Sequence, residues 1–108
     1  MSLYRDYCRE REGIDVLETE KGFCTYHIKG DECYISEIYV VPKYRKDGYA
    51  SQLADTVAKK ASENNCRYIT GSVDPSLPSS TDSMKVLLAY GMKVHGIVGP
   101  LVYFIKEL

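Results

Sequence analysis

The stretch "VVPKYRKDGYASQLA", residues 40–54, decides the fold. An apolar pair, Val40-Val41, meets Pro42. A basic segment with one glycine follows, and then a helical pattern begins. A strand therefore feeds a loop that feeds a helix. Gly48 lets the backbone take a tight path and come close to a ligand. Ala50 has the smallest side chain compatible with a helical start. Amides of a loop and first helical turn have no intrahelical partners. With the helix dipole they form an anion site, and Arg45 and Lys46 add positive charge. The physics favours a phosphate, preferably a pyrophosphate, resting on backbone N–H groups. Alone, the Arg-x-x-Gly-x-Ala pattern is also met by ordinary surface turns, so its setting must decide.

Outward from this stretch the chain alternates short runs of distinct period. Leu3, Tyr4, Tyr7 and Cys8 are spaced as one apolar face of a helix over residues 3–11, which Gly13 ends. The runs 14–18, 23–29 and 33–41 are rich in Ile, Val, Tyr and Thr and are separated by turns carrying Gly and Asp. Connections this short force antiparallel neighbours, so residues 14–41 read as a three-stranded meander. From Gly48 the period lengthens. Tyr49, Leu53, Val57 and Ala61, with Ala54 and Ala58, make one helical face, while Lys59, Lys60, Glu63 and Asn64 face out. A strand over 66–73 follows, and a βαβ crossover sets it parallel to the strand ending at Val41. A loop with two prolines leads to a second short helix, capped at residues 79–81 and closed by Gly91. Strands at 93–98 and 101–108 end the chain. The order is α-βββ-α-β-α-ββ, a mixed α/β (α+β) sheet with a central antiparallel meander and one parallel crossover.

With 108 residues, one domain spanning 1–108 is expected. The apolar share of 44% and charged share of 27% are those of a globular protein, against disorder or repeat arrays. A net charge of -1 argues against a nucleic-acid binder. No apolar run has the length of a membrane span, and the N-terminus lacks a signal-peptide core, so a cytoplasmic protein is expected. Cysteines 8, 24, 33 and 66 form no CxxC pair, and no histidine stands at metal-ligand spacing. No metal is expected. Reduced, buried thiols are expected. A turn near Asp31 pairs Cys24 with Ile38 rather than with Cys33.

In this setting the chain resembles the GNAT acyltransferase superfamily over roughly residues 13–108. That family's acetyl-CoA loop reads Gln/Arg-x-x-Gly-x-Gly/Ala, usually after Val-x-Pro-x-Tyr/His-Arg. "VVPKYRKDGYA" matches, with Val40 in the usual valine place. "AYGMKVHG" looks like the family's Lys-x-Gly-Phe region, with Met92 in place of Phe. The resemblance implies acetyl-CoA as co-substrate. Amides of Lys46, Asp47, Gly48, Tyr49, Ala50 and Ser51 would hold its pyrophosphate, assisted by Arg45. Backbone groups of Tyr39, Val40 and Val41 would run beside the pantetheine. An amide near Val41 or Val40, assigned here to Val41, would polarise the thioester carbonyl as an oxyanion donor. The strand at 67–73 would splay from that at 35–41 to make the cofactor slot.

Acetyl transfer to a primary amine needs a base, and Glu37 is the candidate, since it interrupts an apolar strand just before the cofactor edge. Its alternative is a solvent-facing or salt-bridged carboxylate. Many family members carry an acidic tyrosine in the second helix, where this chain has Leu87. Tyr90 is a weak acid candidate on another face. Ser80 is a candidate for the pantetheine arm, with helix capping as its alternative. His27 and His95 read as ordinary surface or core histidines. Tyr26, Tyr34, Tyr39 and Tyr68 either line the acceptor cleft or are half-buried sheet residues. A full domain of this family begins with a strand and two helices, whereas about twelve residues precede the meander. The acceptor site is then open to a small-molecule, peptide or protein amine, or a second chain completes it as a homodimer. The alternative function is a catalytically weak or inactive acyl-CoA-binding or protein-interaction module.

Overall fold

A computed structural model of the chain describes residues 3–78 and 80–108. Helix α1 spans Leu3–Glu12 and leads through Gly13, at φ +66°, into strand β1 at Asp15–Thr19. β2 (Gly22–Lys29) and β3 (Glu32–Val40) complete an antiparallel meander. A single 3-10 turn at Pro42–Tyr44 follows, then α2 at Tyr49–Glu63. β4 (Tyr68–Val73), α3 (Ser80–Ala89), β5 (Lys93–Val98) and β6 (Leu101–Glu107) complete the chain. The order expected from the sequence is the order observed. The six strands form one sheet, β1-β2-β3-β4-β6-β5, in which only β3 and β4 are parallel neighbours. No helix of the described residues is long and apolar enough to cross a membrane.

The core lies between the sheet and the pair α2/α3. Leu53, Ala54, Val57, Ala58 and Ala61 of α2 are buried against Cys24, Cys33, Ile35 and Ile69. Each large side chain so covered contributes about 1.5–3 kcal/mol. Leu87 of α3 and Phe104 of β6 close the same layer. All four cysteines are free and buried. Burial pushes the Cys24 and Cys33 thiols up to about 12, so neither is a nucleophile at neutral pH.

α1 lies on the opposite face, where Tyr4 meets the ring of Phe23 and the Arg5 side chain donates to the Val16 carbonyl. Its four apolar positions do not form a buried stripe. Cys8 is buried, but Leu3 is 87% exposed and Tyr7 53%.

Two features of the meander position the site. Cys24 faces Ile38 as expected, but between Thr25 and Tyr26 the register shifts, because Tyr26 faces Ile35 and Thr25 faces Glu37. Ser36 is therefore the extra residue of a β-bulge, which reverses the alternation of side chains along β3. Cys33 and Ile35 point into the core before it, Ile38 and Val40 after it. Glu37 and Tyr39 consequently join Phe23 and Thr25 on the α1 face. The second feature is Gly22. A methyl group there would collide with the Tyr39 carbonyl oxygen, so the close approach of β2 to the end of β3 requires glycine.

Candidate active site

Just past the bulge, the parallel pair comes apart. β3 and β4 are paired from Glu32/Tyr68 to Ile35/Gly71 and no further. Beyond that point β3 stays attached to β2 as far as Val40/Gly22, and β4 stays attached to β6 through Ser72/Tyr103 and Val73/Val102. Each strand follows its outer neighbour, and a slot opens between them toward their carboxyl ends.

Which backbone groups face the slot follows from the antiparallel ladder. Val41 N–H donates to the Lys21 carbonyl at 2.8 Å, continuing the register of β2 with β3. Residues two apart share a direction in such a ladder, so Tyr39 and Glu37 also turn their N–H and C=O groups to β2. Ile38 and Val40 turn theirs to the slot. The Val40 carbonyl confirms this direction, since it accepts from Arg45 Nε at 2.9 Å. The oxyanion assignment to Val41 is thereby corrected: its amide is already spent. Likewise the backbone of Tyr39 does not run along the slot. The amides that do are those of Val40 and Ile38. Ile38 was missed in the sequence, although the signal is there: apolar residues at 33, 35, 38 and 40 step by two, three and two, the spacing of a bulged strand.

The loop after Val40 leads through the 3-10 turn into α2. Tyr44 N–H donates to Val41 O and Arg45 N–H to Pro42 O, closing the 3-10 turn. The next amide with a backbone partner is that of Gln52, which donates to Gly48 O at 3.1 Å. Among the described residues, the amides of Lys46 through Ser51 thus have no backbone carbonyl partner. Lys46 and Gly48 are left-handed, at φ +69° and +82°, on either side of an ordinary Asp47. Alternating hands turn successive N–H groups toward a common point, an anion-binding nest, at the positive end of α2. A Cβ on Gly48 would meet no protein atom within 4 Å, so the space above the cradle is open. Arg45, expected to add charge to the nest, is engaged through its side chain. Its Nε holds the Val40 carbonyl, and its guanidinium lies 5.5 Å from the Tyr39 ring centre.

Lys21, at the tip of the β1–β2 hairpin, fixes both ends of the loop. Its carbonyl holds Val41, and its Nζ donates to Tyr49 Oη at 3.0 Å while lying 4.2 Å from that ring's centre. The bond to Tyr49 raises the Lys21 ammonium above its usual range.

Glu37 is exposed on the α1 face at the edge of the slot. Tyr4 of α1 stands within its field. The Tyr4 hydroxyl is pushed up to about 12, first by its hydrogen bond with Cys8, with the Glu37 and Glu12 carboxylates adding to it. Tyr90 is turned away from the slot. Its hydroxyl faces Asp55 of α2 at 3.5 Å, and burial with that carboxylate pushes it up to about 12. Ser80 is buried, and its hydroxyl donates to Pro75 O at 3.0 Å, so its only proton is not free for a pantetheine group. Ser79, in the expected cap, lies outside the described residues. His27 packs beside the Tyr34 ring, and His95 is exposed on the edge strand β5.

A slot between two diverging strands, with an anion nest at the mouth of the following helix, is suited to an extended ligand with a phosphate end. The model of the acetyltransferase (GNAT) family matches residues 3–85. No curated protein matches the chain by sequence. Among solved structures, the PaiA N-acetyltransferase of Thermoplasma acidophilum in complex with coenzyme A superposes with a TM-score of 0.78 at 16% identity, covering 98% of this chain and 69% of that one. A GNAT family acetyltransferase of Elizabethkingia anophelis with acetyl-CoA bound gives 0.69 at 16% identity, with 88% and 75% covered. An acetyltransferase of Bacillus subtilis in complex with CoA gives 0.72 at 15%, with 96% and 84% covered.

Proposed function

The chain belongs to the acetyltransferase (GNAT) family, and on that premise we propose that it moves the acetyl group of acetyl-CoA directly to a primary amine. The observation that carries this reading is the parting of β3 from β4 at Ile35/Gly71 beside the unpaired amides of residues 46–51. The pyrophosphate rests on the nest from Lys46 to Ser51. The pantetheine lies along the slot, facing the Val40 and Ile38 backbone groups. The thioester then reaches the apex of the slot, where the bulge places Glu37.

Glu37 takes a proton from the ammonium of the acceptor, directly or through water. The free amine attacks the thioester carbon, and the negative charge on its oxygen is met by a slot-facing amide, that of Val40 or Ile38. The attacking nitrogen gives up its second proton through Glu37 to solvent, and collapse of the tetrahedral intermediate breaks the C–S bond and releases CoA, the electron pair staying on sulfur. The transfer needs no covalent enzyme intermediate: all four cysteines are buried, and burial pushes the Cys24 and Cys33 thiols up to about 12.

The reading is tested by heating the protein with and without acetyl-CoA and by following free CoA thiol. Acetyl-CoA should raise the melting temperature, and thiol should appear only when an amine is present. Leu87, where many relatives of this type carry a tyrosine, favours a second reading as an acyl-CoA-binding module. Stabilisation without thiol release on any amine would support that reading. No stabilisation by CoA or acetyl-CoA would exclude both.

A further inference from the structure

Where the slot closes, the helix side presents an apolar group. Leu87 of α3 packs there, its Cδ2 3.9 Å from where a methyl on Gly71 would stand, and Gly71 is the last residue of β4 paired with β3. The opposite side offers a proton. Ser72 is the first residue of β4 beyond the last pair. Its Oγ lies 2.5 Å from Tyr34 Oη, reaching across from β3 on the α1 face, the face of Glu37. The neighbouring cross-strand bridge differs: Thr70 Oγ1 donates to Glu32 Oε2 at 2.6 Å within the paired segment, and its proton is spent. Ser72 and Tyr34 together carry two hydroxyl protons, and only one lies in their mutual bond. The other is free at the apex.

We propose that the Tyr34–Ser72 hydroxyl pair returns the proton to sulfur, an assignment that rests on the transferase reading above. As the C–S bond of the tetrahedral intermediate breaks, its electron pair stays on sulfur. Ser72 Oγ–H gives its proton to that sulfur and takes the Tyr34 Oη proton in turn. Water then reprotonates the tyrosinate. Glu37 passes the ammonium proton to solvent before the attack, then takes the second nitrogen proton from the tetrahedral intermediate and passes that on as well; with one proton drawn back through Tyr34, the cycle yields amide, CoA thiol and one released proton. Tyr34 acts through Ser72 and is a positioning and relay residue.

Tyr34→Phe keeps the ring and removes the proton. With acetyl-CoA and an amine that the unmodified protein acetylates, kcat should fall about 10- to 100-fold. That is the lower part of the range for acid–base groups, because a thiolate with pKa near 8.5 is already a fair leaving group. The acetyl-CoA Kd should be unchanged, and the fall of kcat at alkaline pH should vanish. Ser72→Ala should lose the same limb. If the pair merely rivets the strands, Tyr34→Phe will weaken acetyl-CoA binding and leave the limb in place, and that result, or an unchanged kcat, overturns the proposal. If the unmodified protein acetylates no amine, the transferase reading itself fails, and this assignment with it.

Discussion

At the scale of single residues, two positions carry most of the account. Glu37 reaches the α1 face only because Ser36 is inserted in β3; without the bulge its side chain would enter the core. Glu37→Gln should lower kcat about 100-fold at neutral pH, with the acetyl-CoA Kd unchanged. Steady-state rates beside calorimetric titration check this, and an unchanged rate removes Glu37 as base. Gly48 sits at φ +82° with open space above it. Gly48→Trp should abolish CoA binding by filling the nest. Its own backbone penalty is only about 1–2 kcal/mol, so circular dichroism should still show the native fold. Retained binding would refute the nest. The identity of these residues was legible in the sequence, but their directions were not. Val41 stands in the expected place, yet its amide is committed to Lys21. Nothing in a list of side chains says which edge of a strand a backbone group faces; that depends on register, and register depended on an unread bulge.

At the scale of elements, the β1–β2 hairpin acts as a clamp on the loop that makes the nest. Lys21 holds Val41 and Tyr49, and Gly22 lets the hairpin press against Tyr39. Gly22→Ala should destabilise by about 3 kcal/mol, as expected when a methyl is forced into a filled space. Urea unfolding measures it, and a loss below about 1 kcal/mol would show that the approach is not tight. Element type and order were legible because each run is strongly periodic and bounded by Gly, Pro or Asp. The face of α2 expected from Leu53, Val57 and Ala61 is the buried one. The face of α1 was misleading. Its spacing is amphipathic, but of its four apolar positions only Cys8 is buried, and Leu3 and Tyr7 remain exposed. Periodicity reports a capacity to pack, and the partner comes from tertiary structure.

At the scale of the whole molecule, one sheet carries two unlike faces, a packed one under α2/α3 and one beside α1 that carries Glu37 and the Tyr34–Ser72 pair. The packed face holds Cys24 and Cys33, both pushed up to about 12 by burial. These thiols stay protonated in the folded state while those of the unfolded chain ionise near 8.5. The unfolded state therefore binds fewer protons above that pH, and folding stability is complete below it and falls as pH rises toward 12. Each thiol contributes about 1.4 kcal/mol per pH unit to the slope. Denaturant midpoints between pH 8 and 11 should show this decline, and Cys24→Ala should flatten it; a flat profile in the unmodified protein would contradict the buried, protonated state.

The claim that joins the faces is that the slot carries acetyl-CoA to an amine presented beside Glu37. Acetyl-CoA labelled with carbon-13 in the acetyl group, incubated with the protein and a panel of primary amines, tests it most directly by mass spectrometry. The account predicts a labelled N-acetyl product from at least one amine, formed mole for mole with free CoA and lost in Gly48→Trp. Binding of acetyl-CoA without labelled product from any amine would contradict it.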